Sequence, residues 1–266
     1  MKMLSLLFIN LFTFSVFAAD IVFGVVPQQS PSILIEKWMP VVNYLSKETG
    51  LHIILNVEKS IPEFEKKLNN GVYDMAYMNP YHYVIASKKQ GYKAFIRDSK
   101  MIVGILVSCK NIKMNSVNLR KMKYLFPAPF AFAATILTKY EINEKYGVDI
   151  DKNCSLTYVN SHDSVYKGVA RGVGDIGGGI ERTFNNLEDK KTKEKLQIIY
   201  RTAPYPSHPI AFHPRVDKKQ TELLKAAILS MPVNILNDLS MKKLIEIDDS
   251  QYNVIRKLAK NLDSKE

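Results

Sequence analysis

The sequence predicts an α/β protein of two similar Rossmann-like lobes joined by two extended crossings. Three observations carry that expectation. Short β-branched runs alternate with segments of helical apolar spacing, the pattern of βαβ units. The order recurs: Gly71, Val72 and Asp74 in "LNNGVYDMAY" match Gly172, Val173 and Asp175 in "VARGVGDIGG", all offset by 101. Two long β-like runs, "AFIRDSKMIVGILVSCK" and "LQIIYRTAPYPSHPIAFHP", connect the halves.

Residues 1–18 stand outside that fold. Lys2 gives a positive start, and "MLSLLFINLFTFSVFA" is apolar apart from Ser, Asn and Thr. Val16-Phe17-Ala18 places small residues at −3 and −1 before Ala19-Asp20. This reads as a signal peptide cut after Ala18. The apolar run is shorter than the about 20 residues of a spanning helix. Export to the periplasm is therefore expected, without an anchor.

The first lobe opens with "IVFGVV" (21–26), a strand, and a loop over Pro27 to Pro31. Apolar residues at Ile33, Leu34, Trp38, Val41, Val42 and Leu45 mark a helix stopped by Gly50. "LHIILNV" is a strand, 62–70 a helix closed by Gly71, and "DMAYM" (74–78) a strand. Pro80 starts the next helix. The second lobe repeats this: "KYLFPAP" as strand, 130–146 as helix, "SLTYVN" as strand and 163–171 as helix. The expected division is 19–103 plus 208–266 for one lobe and 104–207 for the other. Two lobes on two crossings can hinge, and open α/β sheets bind ligands at the carboxyl ends of their strands.

Lysine and arginine number 37 against 26 acidic residues, a net charge of +11. A basic exported chain suits small anionic molecules. The lysines are scattered without long basic runs, which argues against nucleic acid. Cys109 and Cys154 can pair in an oxidising compartment or stay free; the sequence leaves both open. No Cys/His spacing suits a metal, and no cofactor is expected.

Six stretches, in order, resemble the phosphate/phosphite/phosphonate-binding family of periplasmic solute-binding proteins. They are "GVVPQQSP", "YDMAYMNPYHYV", "PAPFAFAAT", "SHDSVYKGVARGVGDIGGGIERTF", "APYPSHPIAFHP" and "DDSQYNVIRKL". The resemblance covers nearly all of the chain after residue 18. It implies a type II bilobal fold, a ligand cleft, an ABC permease partner and no catalysis.

Four strand-to-helix loops then supply candidate ligand residues, because helix starts carry free N–H groups. Gln28, Gln29 and Ser30 follow the first strand, with Ser30 equally suited to capping. Asn79, Tyr81 and His82 open the third helix, and Tyr81 matches the aromatic that reaches the ligand in the resembled family. Phe130 and Ala131 stand where that family places Ser and Thr; Thr135 is the first hydroxyl here. Phe130 suits a ligand with an apolar or aromatic part, or a less strongly held oxyanion. In "NSHDS", Asn160 or Ser161 reads as a cap, and His162, which can turn cationic near pH 6.5, matches a ligand-contacting histidine of the family. Ser164 is second to it. Glu181, after three glycines, suits either a ligand amine or a salt bridge to Arg182 or a lysine. Tyr205 and His208 lie on the return crossing, and either line the cleft or stiffen a hinge with Pro204, Pro206 and Pro209.

His162, Asp163 and Ser164 do not form a hydrolase triad, because helix neighbours one and two apart diverge. No Gly-x-Ser-x-Gly elbow occurs. The expected function is capture of a small anionic ligand by a monomeric protein and its delivery to an ABC importer. The other reading is a periplasmic sensor docking a membrane histidine kinase or chemoreceptor.

Overall fold

The computed structural model describes residues 20–263; the expected signal peptide lies outside them. The chain begins β1 (Ile21–Val25), α1 (Pro31–Thr49), β2 (Ile53–Val57), α2 (Ile61–Asn69), β3 (Met75–Tyr77), α3 (Pro80–Gln90) and β4 (Lys93–Asp98). It continues with β5 (Gly104–Ser108), α4 (Ser116–Leu119), β6 (Lys123–Phe126), a π-helix (Phe132–Leu137), α5 (Thr138–Tyr146), α6 (Ile150–Asn153) and β7 (Ser155–Tyr158). Then come α7 (His162–Ala170), β8 (Ile176–Ile180), α8 (Glu181–Asn185), α9 (Lys190–Glu194) and β9 (Gln197–Arg201). The last elements are β10 (Pro209–Phe212), α10 (Lys218–Leu229), α11 (Val233–Asp238), β11 (Leu244–Glu246), a 3₁₀ turn (Asp249–Tyr252) and α12 (Asn253–Asp263).

Two sheets result. One has the order β11-β4-β10-β3-β1-β2, the other β7-β6-β8-β5-β9. The strands β1, β2 and β3 run parallel, as do β6, β7 and β8; β4, β5, β9, β10 and β11 pair antiparallel. The first sheet draws on residues 21–98 and 209–246, the second on 104–201. The chain thus passes from one sheet to the other and returns. The two crossings touch: Ile102 N–H donates to Tyr205 O and Tyr205 N–H to Ile102 O, at 2.8 and 2.9 Å.

The repeat is structural. Offset by 101, Pro31 matches Phe132, Ile61 matches His162 and Pro80 matches Glu181, each the first residue of its helix. Ser60 and Ser161 each accept the N–H three residues on. Gly71 and Gly172 both take positive φ, which only glycine adopts without strain. Asp74 accepts Val22 N–H at 2.8 Å, and Asp175 accepts Lys123 N–H at 2.9 Å, again 101 residues apart. These carboxylates pin the entries of β1 and β6.

The second half departs in one place. The helix expected over 130–146 begins at Phe132 and opens as a π-helix, in which Thr135 and Ile136 N–H both reach Ala131 O. It lies directly on β5 and β8. A Cβ on Gly104 would sit 2.1 Å from Ala133 O, and one on Gly178 2.3 Å from Ala134 O. The glycine run therefore admits a helix backbone, not a ligand. Phe132, Ala133 and Ala134 join the same apolar cluster as Phe23, Trp38 and Met75 of the first half, so the lobes are closed. Two smaller clusters cover the faces of the second sheet. Both cysteines are free: Cys109 is exposed and Cys154 half-buried.

Candidate functional site

The carboxyl ends of β1, β3, β6 and β8 meet at the junction of the lobes. Gln28, Asn79, Ala131, Ala133, His162 and His208 line a cavity there. Its volume is about 10 Å³, room for no more than one water. Among the described residues lining it there is no carboxylate, lysine or arginine.

Each polar group is held from behind. The α7 start, capped by Ser161, carries His162, whose Nδ1 lies 3.3 Å from Thr183 Oγ1. Thr183 Oγ1 in turn touches Ile180 O and the Tyr166 hydroxyl. Burial, then the nearby Arg182 charge, push the His162 pKa down to about 3. The expectation of a cation near pH 6.5 is thereby corrected: His162 is a neutral imidazole across the working range. His208 is 3% exposed, and burial and Arg182 hold its pKa well below the usual histidine range too. Its ring stacks on Tyr77, centroids 5.2 Å apart.

Asn79 caps α3 by accepting His82 N–H at 2.8 Å, and its amide donates across to Phe130 O at 3.1 Å. Gln28 reaches His208 Nε2 at 2.9 Å and accepts from Arg182 Nη2 at 3.0 Å. Ala131, Phe132, Ala133 and Ala134 wall the cavity with the start of the π-helix. The first-turn N–H groups of that helix, which continues through α5, have no intrahelical acceptor and suit an anion.

Other candidates fall elsewhere. Phe130 is 48% exposed. The Ala128–Ala131 turn faces it outward, where it stacks on Tyr81 at 5.6 Å. Phe130, Tyr81 and His82 line a separate pocket of about 200 Å³, and His82 Nε2 bonds Glu65 at 2.9 Å. Neither the Phe130 ring nor the Tyr81 ring lines the junction cavity. Gln29 lines a groove beside Trp38. Ser30 precedes α1, with its hydroxyl on Ser32 rather than on a helix N–H. Ser164 is exposed and bonded to Ser161. Glu181 pairs with Arg201 at 2.8 Å, not Arg182. It edges a pocket of about 210 Å³ beside the crossings, which shares Ile102, Ile180 and His208 with the cavity. Tyr205 belongs to the crossing and packs edge-on against Phe132.

Arg182 is the residue that sequence reasoning underrated. From the second lobe it donates to Gln28 Oε1 and, at 2.8 Å, to the Tyr77 hydroxyl, both in the first. The repeat itself holds the signal: Arg182 is the 101-offset counterpart of Tyr81, at a helix start facing the junction.

The fold is shared widely. A binding-protein component of a phosphonate ABC transporter from Pseudomonas aeruginosa superimposes with a TM-score of 0.83 at 19% identity, over 90% of this chain and 85% of that one. PhnD1 from Prochlorococcus marinus, in complex with methylphosphonate, gives 0.82 at 19% identity, covering 92% and 98%. A Xanthomonas citri protein bound to chloride gives 0.71 at 14% identity, covering 92% and 98%. Residues 23–252 match the family described as the periplasmic substrate-binding protein of phosphonate ABC transporters. With most of its length matched and the two-sheet fold in place, this chain belongs to the phosphonate ABC-transporter periplasmic substrate-binding family.

Proposed function

We propose that the protein encloses a small oxyanion, of the phosphonate, phosphite or phosphate kind or a small organic acid, between a lobe of 19–103 plus 208–266 and a lobe of 104–207. It then delivers that ligand to an ABC permease. The observation that carries this reading is the lining of the junction cavity: neutral imidazoles, amides and helix-start N–H groups, without a carboxylate. Neutral, preplaced donors suit an anion and repel a cation. Gln28, Asn79, Ala131, His162 and His208 are the proposed contacts. The neighbouring pocket of about 210 Å³ would take a substituent on the oxyanion. The methylphosphonate and chloride held by the two similar proteins accord with an anionic ligand. The proposed action is binding without turnover, after export directed by residues 1–18.

A thermal-shift screen followed by titration calorimetry tests this. Methylphosphonate, phosphite, phosphate and small organic acids should raise the melting temperature, since only the folded state binds. His162→Ala should weaken the best binder at least tenfold. Silence across all anions, with a response to neutral aromatics, overturns the anion assignment. Hydrolysis of a model phosphoester, lost in His162→Ala, would overturn the non-catalytic one. N-terminal sequencing of the exported chain should begin at Ala19.

A further inference from the structure

Arg182 governs more than the contact between lobes. A guanidinium has donors and no acceptor, so the Gln28 atom 3.0 Å from Arg182 Nη2 must be the amide oxygen. The Gln28 amide nitrogen is then the atom 2.9 Å from His208 Nε2. An NH₂ group has only donors, so His208 Nε2 must be the bare, accepting nitrogen. The ring is neutral, being 3% exposed and close to Arg182, so its single proton sits on Nδ1.

We propose that Arg182, acting through Gln28, is a positioning residue that locks His208 as the Nδ1–H tautomer, so that His208 meets a ligand as a hydrogen-bond donor and never as an acceptor. This deepens the proposed oxyanion site and rests on that reading for its consequence. A ligand oxygen can accept from His208 there; an ammonium, which has only donors, finds no lone pair. Two other side-chain acceptors of the cavity are engaged, Gln28 Oε1 by Arg182 and Asn79 Oδ1 by His82 N–H, while the neutral His162 keeps one accepting ring nitrogen. Discrimination against ammonium ends at this position therefore originates in a residue that belongs to the other lobe.

The test is the tautomer itself, read in the ligand-free protein from long-range imidazole ¹H–¹⁵N correlations, with His208→Asn used for assignment. The wild type should show the Nδ1–H pattern at His208. Arg182→Met should shift the ring toward the Nε2–H form, and Arg182→Lys, which keeps a donor for the Gln28 oxygen, should restore Nδ1–H. Gln28→Leu breaks the same relay while leaving the guanidinium, and should mimic Arg182→Met. It keeps the question answerable if that variant does not fold. An Nε2–H ring in the wild type, or an Nδ1–H ring unchanged in both Arg182→Met and Gln28→Leu, overturns the proposal. Because no ligand is added, absence of anion binding would sink the proposed function and leave this result standing.

Discussion

Arg182 at the start of α8 donates to the hydroxyl of Tyr77 at the end of β3, 2.8 Å away, and so ties one sheet to the other. Tyr77 is 3% exposed, and its ring also backs His208. Tyr77→Phe keeps the ring and removes the bond. A hydrogen bond to a charged donor contributes about 1.5–3 kcal/mol, and this one joins the two lobes rather than the interior of either. The variant should bind its anion about 10-fold more weakly with little change in ligand-free unfolding. Calorimetry against urea unfolding separates the two, and small-angle scattering should register a more open ligand-free protein.

The π-helix rests on glycine. In Gly178→Ala the new Cβ would meet the Phe126 ring at 2.2 Å and Ala134 O at 2.3 Å. Neither neighbour can yield without moving a sheet or a helix. Overpacking of this kind costs about 1–3 kcal/mol or more, and chemical denaturation should show it. Gly50→Ala has open space around the Cβ but a φ of 70°, so its smaller penalty comes from the backbone alone.

The paired aspartates should be unequal. Asp175 holds the Lys123 amide, whereas Asp74 holds the Val22 amide and also pairs with Arg215. Asp175→Ala should cost about 1 kcal/mol and Asp74→Ala up to about 1 kcal/mol more, since it also removes an ion pair to the exposed Arg215. Urea midpoints at constant slope check the ranking.

His162 makes stability depend on acid. Its folded pKa of about 3 lies below the unfolded value of about 6.5. Above pH 6.5 both states carry the neutral ring and the term is flat. Below it the unfolded chain takes up a proton that the folded protein refuses, so stability falls by about 1.4 kcal/mol per pH unit until pH 3. His162→Gln should flatten the profile between pH 6 and pH 4 by that slope. Urea unfolding at successive pH values measures it.

Much of this architecture is written locally. The repeat is legible because Gly71 and Gly172 answer a left-handed turn, and Asp74 and Asp175 answer an exposed strand amide, needs that recur wherever the motif recurs. Ser161 as a cap is equally local. Phe130 misleads because a turn over 128–131 delays the helix by two residues and swings the side chain outward, and no residue pattern announces a π-helix. Arg182 hides for another reason: its acceptors lie 154 and 105 residues away in sequence, so its neighbours in the chain say nothing of its partners.

The two crossings pair with each other at Ile102 and Tyr205. Paired strands form a ribbon, and a ribbon bends readily across its flat face while resisting shear in its plane. The lobes should therefore part like the covers of a book about a spine, with little sliding.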